Sequence, residues 1–274
     1  VTTFKSWGLE VVIGRSIEAE YYQFAGSDEL RTADLQTMLD DTEVKAIISA
    51  RGGYGTTRLL DQLDFTGFKK SPKWIIGFSD ITALHCHLLG LGFESIHGIM
   101  PSLFSRPGSD EALESLRRVL FGGYISYQAP AHAFNCAGTA EGILMGGNIS
   151  LLNTIIGTAS DVDYTGKILF LEEIDEYLYN LDRMLVQLKR SGKLARLAGL
   201  VVGHMTDMRD NAIPFGKTAV EIIQEHTADY TYPVAYNFPT GHEPHNLALI
   251  CGRNARLQVT GQGSFLEYIT EQTV

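Results

Sequence analysis

No apolar run in this chain of 274 residues approaches the roughly 20 that a helix needs to cross a bilayer. Basic residues are in deficit, with 22 Lys and Arg against 32 Asp and Glu and a formal charge of −10. That balance disfavours phosphate backbones and anionic lipid surfaces, so neither nucleic acid nor membrane is expected as a partner. Cysteine is scarce and odd in number: Cys86, Cys136 and Cys251 lie far apart in apolar surroundings. This excludes a disulfide framework and zinc spacing, and reads as free core thiols in a reducing compartment. The sequon NIS at 148–150 is then incidental. Internal repeats, heptads and low-complexity tracts are missing as well.

What is present is ordinary globular composition, 45% hydrophobic and 20% charged, in a chain long enough for one large domain or two smaller ones. The first half alternates short apolar runs with helical patterns. Strands are predicted at LEVVIG (9–14), VKAIISA (44–50) and KWIIGF (73–78), with helices within 27–41, 56–65, 81–90 and 109–123. Nearly unbroken apolar strands separated by helices imply a mostly parallel sheet covered on both faces. Character changes at 122–140, where alternating and glycine-rich strand patterns begin. Further strands are predicted at GKILFLEEI, LAGLVVG, YPVAYNF, LALICG and ARLQVTG, and helices at YLYNLDRMLVQLKRSG and GKTAVEIIQEHT. The expected architecture is an N-terminal α/β domain over 1–125 and a mixed α/β domain rich in β-structure over 140–274. TTFKSWG reads as the last turns of a helix ending at Gly8, so a strand and helix are expected before Val1.

Ligands of such sheets sit beyond the carboxyl ends of the strands, and two stretches fall at that edge. In GFSD (77–80), Ser79 or Asp80 either caps the following helix or forms a nucleophile elbow that lifts a hydroxyl into a cleft. Gly77 favours the elbow, whereas Ile81 stands where the usual glycine would be. In RGGYG (51–55) the glycines make either a tight surface turn or a nest of N–H groups for an anion. This run lacks the G-x-G-x-x-G spacing of a dinucleotide site and the Lys-Ser/Thr ending of a P-loop. Glu172 and Glu173 end a strand, so alternation must send them to opposite faces. His242 and His245 share a Pro- and Gly-rich loop, NFPTGHEPHN, of the kind that carries catalytic groups on a rigid scaffold. HEPH is one residue short of the zinc motif H-E-x-x-H and contains Pro244, while His85 and His87 point to different sides of a helix. His97 is read as a lining residue of the Ser79 cleft or a buried hydrogen-bonding residue.

RGGYG, GFSD, GILMGGNISLL, GKILFLEE with RMLVQLKRSG, and GHEPHNLAL, in this order across nearly the whole chain, resemble the LD-carboxypeptidase family of serine peptidases. The resemblance implies a Ser-Glu-His triad in that chain order, which falls on Ser79, Glu172 and His242. It implies an oxyanion hole from the N–H groups of Asp80 and Gly53, with no cofactor and no metal. It further implies a cytoplasmic homodimer acting on a small peptide or muropeptide, releasing the terminal D-alanine of a murein tetrapeptide at an L,D bond. A related branch, the microcin C self-immunity peptidases, cleaves a peptide-like bond to a nucleotide. A noncatalytic muropeptide-binding domain is the remaining alternative.

Overall fold

The computed structural model describes residues 1–269. In chain order its main elements are α1 (Thr2–Ser6), α2 (Asp28–Asp40), β1 (Ala46–Ile48), α3 (Thr66–Lys70), β2 (Trp74–Gly77), α4 (Thr82–Gly90), β3 (Ser95–His97) and α5 (Asp110–Leu120). After a change of sheet come β4 (Ser126–Pro130), β5 (Gly138–Asn148), α6 (Ile149–Thr154), β6 (Ile168–Ile174), α7 (Leu178–Arg190), β7 (Gly199–Thr206), α8 (Ala219–Thr227) and β8 (Val234–Ala235). The chain closes with β9 (Leu249–Cys251), β10 (Asn254–Thr260) and β11 (Gly263–Tyr268).

Two α/β units result, as the hydrophobic pattern implies. The smaller sheet has the order β1-β2-β3-β9, and the larger has the order β4-β11-β10-β5-β6-β7-β8. Strands β1, β2 and β3 are parallel, while β9 arrives from the far end of the sequence and pairs antiparallel with β3. In the larger sheet β5, β6, β7 and β8 run parallel and carry helices between them. Its other half, β4-β11-β10-β5, is antiparallel, and β10 alternates exposed and buried residues there, as expected of a strand with one wet face.

Strand β6 shows why a continuous apolar run forms here. Leu169 and Leu171 pack with Leu181, Leu185 and Leu188 of α7 in one core cluster. Ile168 and Phe170 pack with Ile96 and Ile250 of the smaller sheet in a second. Both faces are therefore buried, and ordinary i, i+4, i+7 spacing on α7 supplies one of the covers. Each fully buried leucine of this kind stabilises the fold by about 1.5–3 kcal/mol relative to exposure.

Three local expectations are corrected. Residues 9–14 form no strand: they are not paired with β1, and Val12 and Ile13 are 75% and 59% exposed. The chain is pinned just afterwards by Asp34 of α2, which accepts the N–H groups of Arg15 and Ser16 and the Ser16 hydroxyl. Residues 56–65 make two 3₁₀ turns instead of a helix, Thr56–Arg58 and Leu60–Gln62. Cys136 is only half-buried, although Cys86 and Cys251 are core thiols as expected and all three are free. Asn148 of the sequon is 3% exposed, which fits its reading as incidental. No helix among the described residues is long and apolar enough to cross a membrane.

Candidate active site

Ser79 stands where β2 turns into α4, in a one-turn 3₁₀ segment from Ser79 to Ile81. Its φ is +62°, a left-handed conformation that costs a non-glycine residue about 1–3 kcal/mol and concentrates at functional sites. Its side chain makes no capping hydrogen bond to the helix, so the cap reading fails for this serine. A Cβ on Gly77 would lie 2.7 Å from Ile81 Cγ1. Ile81 thus occupies the space that glycine leaves, which explains a tight elbow without glycine at position 81.

The RGGYG loop follows β1, the neighbouring parallel strand, and lies beside the serine. A side chain at Gly52 would meet Ser79 Cβ at 3.1 Å and Oγ at 3.3 Å. Gly53 and Gly55 adopt φ of +126° and +132°, conformations that glycine alone takes readily. The loop is tied to the elbow by Asp80, whose Oδ2 accepts the Thr56 N–H at 2.7 Å. Among the described residues, the N–H groups of Gly53 and Asp80 have no hydrogen-bond acceptor. Arg51, Gly52, Gly53, Phe78, Ser79, Met100, Ser102, Leu103 and His242 surround a cleft of about 200 Å³. A larger cavity of about 380 Å³, bounded by Phe93, Asp163 and Lys167, contains none of the candidate residues.

Strand alternation separates the two glutamates. Glu172 continues the Ile168–Phe170 face and projects toward the smaller domain, where its Oε2 meets His242 Nδ1 at 2.6 Å. Glu173 continues the Leu169–Leu171 face and turns toward α6. There it accepts Asn148 Nδ2 at 2.7 Å and both the N–H and the hydroxyl of Ser150. Glu173 is thus a buried anchor of the α6 start. Burial, and then the charge of Glu172, push its carboxyl above the usual range.

Glu172 is 0% exposed, and the bond to it governs His242. Burial disfavours the imidazolium, but the hydrogen bond and negative charge of Glu172 outweigh this and raise the histidine above its ordinary value. The Phe78 ring lies 4.8 Å from the imidazole, centroid to centroid. Ser79 and His242 face the same cleft without a hydrogen bond between them, an arrangement common before substrate tightens a site.

The loop bearing His242 is held by a residue that spacing did not single out. Asn246 Oδ1 accepts the Gly241 N–H at 2.9 Å, the Thr240 hydroxyl at 3.3 Å and His97 Nε2 at 3.3 Å. Pro239 and Leu247 close the loop through a backbone bond of 2.9 Å. His97 is therefore buried support behind the loop and does not line the cleft. Burial drives it well below its ordinary pKa, so it is neutral and donates from Nε2. An asparagine after HEPH carries no signal of this role in a single sequence. Gly241, at φ +126°, lets the loop pass Glu172: a Cβ there would lie 3.0 Å from Glu172 Cβ and 3.1 Å from His204 Cβ. Opposite Glu172, β7 bulges, since Leu171 pairs with Val202 and Glu173 with Met205. The bulge brings the His204 N–H onto Thr240 O at 2.8 Å.

His245 pairs with Glu111 at 2.8 Å, while His85 bonds Gly77 O and Ser95, and His87 bonds Ser160. None of these pairs converges on a common point. Among the described residues no group of three or more His, Cys, Asp or Glu could hold a metal ion.

Comparison with known proteins gives a consistent picture. Residues 1–98 match the LD-carboxypeptidase N-terminal domain and residues 141–257 the LD-carboxypeptidase C-terminal domain. The chain is 34% identical over 271 residues to a probable murein peptide carboxypeptidase of Bacillus subtilis, covering 95% of this chain and 83% of that protein. It superposes on muramoyltetrapeptide carboxypeptidase from Oxalobacter formigenes with a TM-score of 0.88 at 32% identity, covering 98% of this chain and 93% of the other. It also shares its fold with the microcin C7 self immunity protein in complex with aspartyl sulfamoyl adenosine, with TM-score 0.84, 21% identity, and coverage of 98% and 89%.

Proposed function

Since this chain belongs to the LD-carboxypeptidase family of serine peptidases, we propose that it removes the terminal D-alanine from murein tetrapeptides at an L,D bond. Ser79 is the nucleophile, His242 the base and Glu172 the residue that orients it. The observation that carries the proposal is the buried 2.6 Å bond from Glu172 to His242, with the imidazole facing the cleft that holds a left-handed Ser79.

In this reading His242 Nε2 takes the Ser79 hydroxyl proton as Oγ bonds to the amide carbon. The negative charge passes to the carbonyl oxygen, which the free N–H groups of Gly53 and Asp80 stabilise. Loss of one such donor costs about 3–4 kcal/mol in other enzymes. Collapse breaks the C–N bond, and His242 returns its proton to the departing amine of D-alanine. Water then attacks the acyl-serine ester, giving its proton to His242, and the shortened peptide leaves with Ser79 restored. Glu172 keeps Nδ1 protonated and stabilises the transient imidazolium.

Backbone strain at Ser79 and a charge-assisted Glu172–His242 bond are features of turnover, and they favour it over passive muropeptide binding. Action as a homodimer in the cytoplasmic recycling of cell-wall fragments belongs to the same proposal and rests on the family. The test follows D-alanine released from a purified murein tetrapeptide by mass spectrometry. Ser79→Ala, with folding checked by circular dichroism, should lose activity by orders of magnitude, and chelators should leave the wild type active. Full turnover by folded Ser79→Ala, or activity lost to chelator and restored by zinc, would refute the assignment.

A further inference from the structure

The chain carries a formal charge of −10, yet Arg51 lines the cleft and Arg106 contacts the His242 backbone, neither with a carboxylate partner among the described residues. Several surface arginines are matched: Arg31 and Arg58 share Asp28, Arg209 pairs with Asp175, and Arg253 with Glu94. Arg51 is different. Its Nε reaches only the carbonyl of its neighbour Gly52, at 3.4 Å, while the residue lines the cleft with Ser79 and His242. Its Nη2 lies 3.7 Å from the point that a Gly53 Cβ would occupy, so the guanidinium is folded alongside the loop that offers the Gly53 N–H. Arg106 Nη1 donates to the backbone carbonyl of His242 at 3.1 Å, which leaves most of that fork free as well.

We infer that Arg51 is the anchor for the terminal carboxylate of the substrate, with Arg106 supplying a second positive charge beside His242. The inference rests on the carboxypeptidase reading and names the group that this reading leaves unassigned. In a carboxypeptidase substrate the carboxylate lies one residue beyond the scissile carbonyl, a span of roughly 3.8 Å between successive Cα atoms. The Arg51 guanidinium, with Nη2 3.7 Å from the point that a Gly53 Cβ would occupy, lies within a comparable reach of the Gly53 N–H. A planar guanidinium fork receives a carboxylate through two parallel hydrogen bonds, which an ammonium cannot imitate. The same charge offsets the repulsion that a strongly acidic protein would exert on an anionic peptide.

The experiment compares a murein tetrapeptide ending in D-alanine with the same peptide ending in D-alaninamide. For the wild type, kcat/KM should favour the free acid by about 10- to 100-fold, the range for hydrogen bonds to a charged group. Arg51→Gln should bring the acid-to-amide ratio close to one, chiefly by lowering turnover of the acid. Arg51→Lys should retain part of the preference, and Arg106→Gln should reduce it by a smaller factor. Because Arg51 is exposed, circular dichroism should show all variants folded. An unchanged ratio in Arg51→Gln, or equal use of both peptides by the wild type, overturns the anchor while D-alanine release continues. No release from either peptide by the wild type instead overturns the carboxypeptidase reading, and the anchor with it.

Discussion

Replacing Glu172 by glutamine removes one negative charge and almost no volume from a position that is 0% exposed. The carboxylate meets His242 Nδ1 at 2.6 Å through Oε2, while Oε1 is buried without a partner. Glutamine can therefore keep its carbonyl oxygen on the imidazole and turn its amide group to the vacant side, which preserves tautomer and geometry while deleting the charge. Two unit charges about 4 Å apart at an effective dielectric near 20 interact by about 4 kcal/mol. Losing that support for the imidazolium formed during reaction lowers kcat by about 10³-fold, and up to about 10⁴-fold if the amide also flips the tautomer. The pH profile supplies an independent readout. Glu172 raises His242 above 6.5 against the opposing effect of burial, so His242 in its proposed role as base should be protonated and inactive below that raised value. In Glu172→Gln the acidic limb of kcat should move to lower pH. Stability follows the same sign: a raised histidine stabilises the fold fully below its unfolded pKa and loses that contribution as pH rises through the folded one. The stability gap between wild type and variant should therefore narrow as pH rises from 6.5 upward. The assay is D-alanine release from pH 5 to 9 alongside thermal unfolding. A folded Glu172→Gln enzyme within tenfold of wild-type kcat, with its acidic limb unmoved, would refute the reasoning.

Two further substitutions probe the loop that carries the histidine. Gly241→Ala places a Cβ at 3.0 Å from Glu172 Cβ in a φ of +126°. It should destabilise the protein by about 1–3 kcal/mol in urea unfolding and lower kcat by displacing His242. Asn246→Leu leaves the Gly241 N–H, the Thr240 hydroxyl and His97 without their shared acceptor, at a cost of about 1–3 kcal/mol for each buried group left unpaired. In that variant kcat should fall with KM little changed, and Asn246→Asp, which keeps the acceptor oxygen, should recover part of the loss. Equal effects of Leu and Asp on kcat would show that Asn246 does not position the histidine through its oxygen.

The apolar runs from Trp74 to Phe78 and from Ile168 to Leu171 are legible as buried strands because both of their faces are covered, and period alone reveals this. The amphipathic spacing of α7 and the glycine stop signals are equally local, so the α/β class and the order of most elements followed from sequence. Parity along β6 even requires that Glu172 and Glu173 face opposite ways. Residues 9–14 mark the limit: they have the composition of a strand, but a strand exists only where a neighbour offers hydrogen bonds, and none among the described residues lies beside them. The short strand β3 and the last strand β11 escaped for a related reason, since their pairing with β9 and β10 depends on partners remote in sequence or on register. Only the tertiary structure decided which glutamate reaches His242, because alternation fixes opposite faces without saying what lies on each. It alone decided that Ser79 adopts a left-handed conformation instead of capping α4, since that choice depends on Ile81 filling the space left at Gly77 and on Gly52 packing against the serine. The role of Asn246 was likewise invisible beforehand, because its three hydrogen bonds gather groups from β3 and from the start of the loop that carries His242, and a side-chain amide carries no mark of its partners until the chain has folded around it.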